Sequence, residues 1–274
     1  MKLIRFMDAA GRILNGKLLD DRRALPLFGC PFESPNFGSY PVRVIRPVAP
    51  IYPPNIFAIG LNYRGHAAEQ GLKKLPSHPL IFAKPTTALI APGDPILLPA
   101  SAPAEVDFEA ELGVVIGKTC RRVAERDALD YVYGYTCAND VSARDCQKKL
   151  DKQWTRAKGF DTFCPIGPVV VTRDELDCSR AKLRAILNGR VMQEASTADL
   201  IFSVPFLVSY LSQQFTLLPG TLILTGTPEG VGFTRTPPVF LRAGDTIEIE
   251  IDGIGKLSNP VAAVDLDPSH GPSS

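Results

Sequence analysis

The stretch Glu105-Val-Asp-Phe-Glu-Ala-Glu111, running into Leu112-Gly-Val-Val-Ile-Gly117, decides how the chain is read. At period two, Val106, Phe108, Ala110, Leu112, Val114 and Ile116 share one face, and Glu105, Asp107, Glu109 and Glu111 share the other. The pattern predicts a strand with one acidic face. Alternate side chains on a strand stand about 6.6 Å apart, so Glu109 and Glu111 project side by side. Like charges packed against a core need a compensating cation. A solvated edge strand accounts for the alternation in one way, and a buried strand whose carboxylates share a divalent metal accounts for it in another.

Composition narrows the setting. The 274 residues are enough to bury about three quarters of the unfolded surface, and 45% apolar with 22% charged residues is the balance of a soluble globular protein. A net charge of +1 supplies no field for nucleic acid or anionic lipid. The strongest basic cluster, Lys148, Lys149, Lys152, Arg156 and Lys158, is interrupted by Asp151. No apolar run approaches a membrane span, and Arg5 and Asp8 interrupt the first ten residues where a secretory signal needs an apolar core. The expectation is a cytoplasmic protein with neither nucleic acid nor membrane as partner. Six cysteines without a C-x-x-C pair read as reduced, mostly buried thiols, with no disulfide framework or zinc site.

Residues 1–50 read as a small N-terminal β extension: strands over 3–6 and 12–19, then an irregular connection carrying Pro26, Pro31, Pro35 and Pro41. The main domain spans 51–265, opening on a strand over 56–59, with a tail over 266–274. Within it, short strands are expected near 79–84, 96–98, 131–137, 169–172, 221–225 and 246–252, a short helix over 123–129, a hairpin turn at Asn188-Gly189, and a helix capped by Ser203. His66 and Glu69, three apart, meet on one helical face. The pair is either a chance surface arrangement or a carboxylate fixing the tautomer of an imidazole that acts as general base. Asn139 and Asp140 fall where a strand gives way to a turn, so Asp140 reads as an N-cap, as a carboxylate aimed into a site, or as both. Lys158, before Gly159, is placed in a loop with its ammonium toward a cavity. The run Gly226–Gly232 has neither the spacing nor the βαβ context of a dinucleotide fingerprint, Gly255-Lys256 lacks the rest of a phosphate loop, and no G-x-S-x-G elbow is present.

Taken in order, Gly60-x-Asn-Tyr-x-x-His66-x-x-Glu69, Phe82-Ala-Lys84-Pro85, Asp107-x-Glu109-x-Glu111-Leu-x-x-Val-Ile-Gly117, Asn139-Asp-Val-Ser-Ala-Arg-Asp-x-Gln147, Lys158-Gly-Phe-Asp and Thr225-Gly-Thr-Pro-x-Gly-Val-Gly232 resemble the fumarylacetoacetate hydrolase family over roughly residues 50 to 262. Each motif is weak alone and the ordered set is specific. The resemblance implies an α+β, mainly β fold with a rolled mixed β-sheet of the fumarylacetoacetase C-terminal type, a homodimer, and a bound Mg²⁺ or Mn²⁺. It implies metal ligands at Glu109, Glu111 and Asp140, an all-oxygen set for a hard cation. It also implies catalytic groups at His66, Glu69 and Lys158, and contacts from Arg144, Gln147 and Thr227 to a small 2-oxo acid substrate. Gly230 and Gly232 read as permitting a tight backbone, and the role of Lys84 stays open. The Glu194-Ala-Ser-Thr197 segment departs from the family's usual Gly-Asn before the threonine.

The leading expectation is a metal-dependent hydrolase that cleaves the C–C bond of acylpyruvates or related 1,3-diketo acids through an enolate, with the His66–Glu69 pair activating water. Oxaloacetate decarboxylation, or isomerisation of an unsaturated 2-oxo diacid such as 2-hydroxyhepta-2,4-diene-1,7-dioate, needs the same enolate and no attacking water. A metal or 2-oxo-acid binding protein without turnover is the alternative from outside enzymology.

Overall fold

The computed structural model describes residues 1–33, 35–150 and 153–264. The tail expected from residue 266 lies outside the described residues. At the centre is the strand Ala110–Ile116, buried along its whole length. Its pleat sends Leu112, Val114 and Ile116 into one apolar cluster with Leu183, Ala185 and Ile249. Val115 enters a second cluster with Ile56, Ala58, Ala138 and Ile166. The strand is paired on both edges, by Val132–Asn139 and by Leu222–Leu224. A strand with a core on each face and a neighbour on each edge has no solvated side, so the edge-strand reading falls away.

The sheet around it runs in the order Arg23–Phe28, Ile13–Asp20, Lys2–Met7, Cys164–Thr172, Val132–Asn139, Ala110–Ile116, Leu222–Leu224, Ile56–Gly60, Leu80–Lys84. Along this path every pairing is antiparallel except Leu222–Leu224 with Ile56–Gly60, which is parallel, so the sheet is mixed. A second sheet, ordered Ile96–Leu98, Gly255–Ala263, Thr246–Ile251, Lys182–Leu187, Arg190–Ser196, packs its Leu183, Ala185, Ile249 and Leu257 into the first cluster. The fold is mainly β with mixed sheets. No helix among the described residues is long and apolar enough to cross a membrane.

Several local signals are realised. The hairpin between Lys182–Leu187 and Arg190–Ser196 turns on Asn188 at φ 51° and Gly189 at φ 80°, the left-handed pair that a tight two-residue turn requires. Ser203 caps the helix Val204–Gln214 by accepting from the Phe206 N–H. The helix expected over 123–129 is a 3-10 run over Glu125–Tyr131. One expectation needs correction. The connection around Pro26 is a strand, Arg23–Phe28, whose outer edge pairs with Val42–Arg43 at one end and Asn36–Phe37 at the other. Pro26 falls between those two pairings, where its missing N–H breaks no ladder. The small N-terminal β unit is present and joins the edge of the central sheet through Lys2–Met7, which pairs with Cys164–Thr172.

Because Leu112 is fully buried in the larger cluster, Leu112→Ala should cost about 2–5 kcal/mol of stability. A urea titration shows this as a lowered midpoint at unchanged slope; a loss under about 1 kcal/mol would mean that the strand is not central to the core.

Candidate active site

The acidic strand predicted over 105–117 is not continuous. Val106–Asp107 pairs with Ser142–Ala143, and Ala110–Ile116 pairs with Val132–Asn139. Between them, the Glu109 N–H donates to Asn139 Oδ1 and the Asp140 N–H donates to the Glu109 carbonyl, both at 3.0 Å. A side-chain amide thus replaces a ladder partner, and the break brings Asp140, just past the end of its strand, against Glu109. Each of Glu109, Glu111 and Asp140 offers a carboxylate oxygen within 4.8 Å of the other two, and all three residues are buried.

Four buried acids meet three buried cations here: Asp107, Glu109, Glu111 and Asp140 against Lys84, Arg144 and Lys158. Lys158 Nζ donates to Glu109 Oε2 at 2.8 Å, Asp140 Oδ2 at 2.6 Å and Ser142 Oγ at 2.8 Å. Lys84 Nζ lies 2.5 Å from Asp140 Oδ1. Arg144 spans the group, giving Nε to Asp107, Nη2 to Glu109 and Nη1 to Gln147 Oε1. Burial alone would raise the Glu109 pKa, yet Lys158, Arg144 and His66 bring it down to about 2. Glu111 is different: it accepts the Gly226 N–H at 2.7 Å, and no ion pair reaches it among the described residues. Burial and the neighbouring Asp140 and Glu109 carboxylates push its pKa well above the ordinary range. The unbalanced negative charge therefore rests on Glu111. Three close, buried carboxylates with one charge unmatched form a donor set that fits a hard divalent cation.

His66 and Glu69 stand on the helix Arg64–Glu69 (α1), with Nδ1 at 2.6 Å from Glu69 Oε1. Glu69 is itself tied down, its Oε2 accepting from Gly230 N–H at 2.9 Å and Thr234 Oγ1 at 3.0 Å. Asn62 fixes the approach to α1 through Phe202 and the Thr225 carbonyl. The pair is thus an ordered part of the site. Lys158 ends a five-residue helix, Trp154–Lys158 (α2), where a loop was expected, and its ammonium does face the cleft. His66, Glu109, Asp140, Arg144, Gln147, Lys158 and Thr227 line one narrow cleft, with Glu69 hydrogen-bonded to His66 and a Glu111 carboxylate oxygen within 4.8 Å of those of Glu109 and Asp140. All nine sequence-predicted residues are therefore brought together.

Sequence reasoning left three neighbours without a role. Asp107 is fully buried, holding Arg144 and accepting the Gly232 and Phe233 N–H groups; its place in the acidic alternation was the signal. Lys84 pairs with Asp140. Gln193, beside the segment that departs from the family pattern, is buried and joins the Ala110 N–H to Thr227 Oγ1 and the Pro228 carbonyl.

The family model described as Fumarylacetoacetate (FAA) hydrolase C-terminal matches residues 55–262. The chain belongs to this family. Within the fumarylacetoacetate hydrolase family it is 48% identical, over 217 residues, to oxaloacetate tautomerase fahd2, mitochondrial, of Xenopus laevis, covering 78% of this chain and 67% of that protein. It is 44% identical over 226 residues to oxaloacetate tautomerase YisK of Bacillus subtilis, covering 81% and 75%. Among solved structures, that of 2-hydroxyhepta-2,4-diene-1,7-dioate isomerase from Mycobacterium marinum matches with a TM-score of 0.84 at 42% identity, covering 96% of this chain and 99% of that one.

The raised Glu111 pKa predicts how a cation would bind. A carboxyl whose folded pKa lies above its unfolded value stabilises the metal-free fold at low pH, and this contribution is lost as pH rises through the folded pKa. A divalent cation must displace that proton, so the melting-temperature gain on adding Mg²⁺ should grow with pH. Glu111→Gln should melt no lower than wild type without Mg²⁺ and gain nothing from it. A gain that ignores pH, or that survives Glu111→Gln, would remove Glu111 from the ligand set; scanning fluorimetry reads both.

Proposed function

We propose that the chain is a divalent-metal-dependent enzyme that moves a proton on the carbon beside the 2-oxo group of oxaloacetate or a related 2-oxo diacid, interconverting keto and enol forms. The observation that supports this reading is the buried Glu109–Glu111–Asp140 triad, whose Glu109 and Asp140 line the same cleft as a histidine with its Nδ1 engaged by Glu69. Mg²⁺ or Mn²⁺ held by the three carboxylates supplies charge stabilisation for an enolate.

The remaining chemistry belongs to the chain. Glu69 accepts at Nδ1, which leaves Nε2 as the base; its lone pair accepts the Gln70 amide at 2.8 Å in this structure and acts on substrate once that amide moves aside. Lys158 remains cationic, because Asp140 and Glu109 raise its pKa against the opposing effect of burial, and it stabilises developing negative charge. Arg144, Gln147 and Thr227 orient the acid along the cleft. Arg144 is held by Asp107 and Glu109, Gln147 by Arg144, and Thr227 by Gln193 before substrate arrives. The tautomerase names of relatives at 44–48% identity and the isomerase name of the solved relative support proton relocation as the reaction.

Hydrolysis of an acylpyruvate is the second reading, favoured by the same His66–Glu69 pair, which is placed to activate a water. Decarboxylation of oxaloacetate would pass through the same enolate. A binding protein without turnover is disfavoured by the retention of His66, Glu69 and Lys158 in one ordered constellation.

With Mg²⁺ or Mn²⁺ present, the decay of oxaloacetate enol absorbance should outpace both acetate release from acetylpyruvate and CO₂ release from oxaloacetate, and chelation should abolish it. His66→Ala should slow the decay by roughly 10²–10⁴-fold. Acetate release faster than enol decay would put hydrolysis in its place, and full enol decay under chelation would remove the metal.

A further inference from the structure

Gln70, Lys148 and Trp154 also line the cleft, and the exposed Lys148 marks its outer end. The hydrogen bonds there form a chain whose direction is set at both ends, because the Glu69 carboxylate only accepts and the Lys148 ammonium only donates. His66 Nδ1 gives its proton to Glu69 at 2.6 Å, His66 Nε2 receives the Gln70 side-chain N–H at 2.8 Å, and Gln70 Oε1 receives Lys148 Nζ at 3.1 Å.

Lys148 differs from the other cations of this cleft. Arg144 and Lys158 are each paired with two carboxylates. Lys148 has no carboxylate within ion-pair distance among the described residues. Its ammonium is held by one neutral amide and by the ring of Phe233, 4.9 Å from Nζ. Desolvation by the cleft walls, with Arg144 nearby, pushes its pKa down, as expected of a cation short of a counter-ion. A carboxylate makes a stronger partner for an ammonium than a neutral amide does, so an anionic group reaching the outer end would take Lys148 from Gln70.

We infer that Lys148 is the specificity-determining residue for the second carboxylate of a dicarboxylic 2-oxo acid whose 2-oxo end lies at Glu109, Glu111 and Asp140. This rests on the proposed function and adds the group that separates diacids from monoacids. The 2-oxo end is read by the buried carboxylate cluster, and the distal end by one exposed lysine that ties recognition to Gln70 and thereby to the Nε2 side of His66.

The test is calorimetric titration of the full chain in Mg²⁺ with oxaloacetate and with 2-oxobutyrate, which share four carbons and the 2-oxo acid end and differ in the distal group. Lys148→Met should weaken oxaloacetate by about 10–100-fold, the worth of one charge-assisted hydrogen bond, and change 2-oxobutyrate by less than about twofold. Lys148→Arg should restore most of the oxaloacetate affinity, and in steady-state turnover the loss should fall on KM with kcat nearly kept. Equal weakening of both acids, or no weakening of oxaloacetate, overturns the assignment of Lys148 alone. Wild type binding neither acid overturns the 2-oxo acid reading and this inference with it.

Discussion

Burying four carboxylates in one place is the constraint on which the rest of the structure depends. Desolvating each costs several kcal/mol, and each is compensated differently. Asp107 has Arg144 and two loop amides; Glu109 has Lys158 and Arg144; Asp140 has both lysines; Glu111 has one amide. The compensating groups come from residues 84, 144, 158, 226, 232 and 233, so the strand, helices and loop carrying them must close around Ala110–Ile116 before the charges are satisfied. Site and fold are therefore one assembly. Such a cluster gives little net stability compared with apolar packing of the same volume, which is why its presence argues for function.

What was legible in the sequence follows from the range of the interaction that carries it. Period-two alternation, the Asn188-Gly189 turn and the Ser203 cap are local, and the strands, hairpin and helix they specify are present. The break at Phe108 and Glu109 was not legible, because the group that makes it, Asn139 Oδ1, lies thirty residues on. For the same reason the roles of Asp107 and Lys84, whose partners are Arg144 and Asp140, could not be read from spacing. Pro26 misled because a proline rules out a ladder only where the ladder needs its N–H, and the gap between two short pairings is a fact of tertiary structure. The nine site residues came from an ordered set of motifs, and what the structure adds is how they are held.

The glycine-rich run Gly226–Gly232 failed as a nucleotide fingerprint, yet it uses the same physics on different anions. Its amides at Gly226, Gly230 and Gly232 donate to Glu111, Glu69 and Asp107, giving one hydrogen bond each to the carboxylate triad, the histidine's partner and the arginine's partner. Gly230 sits at φ 92°, and a Cβ on Gly232 would lie 1.8 Å from the Val239 carbonyl oxygen and 2.5 Å from Asp107 Oδ1. A side chain at either position would displace the donor from the acid it serves. One loop thus sets the spacing among three functional groups that lie far apart along the chain.

The donor sequence from Lys148 through Gln70 and His66 to Glu69 also sets the tautomer of the ring. With Glu69 accepting at Nδ1 and the Gln70 N–H donating at Nε2, every contact along it is a donor facing an acceptor. The inner end of this chain is rigid, since Gly230 and Thr234 anchor Glu69. The outer end rests on an exposed lysine and a single amide contact, so a substrate can change it at small cost while the geometry of the His66–Glu69 pair stays fixed. Under the proposed function, this division sets a fixed reacting end beside a reading end that can be exchanged, so that selection of the far group is separate from the buried carboxylate cluster.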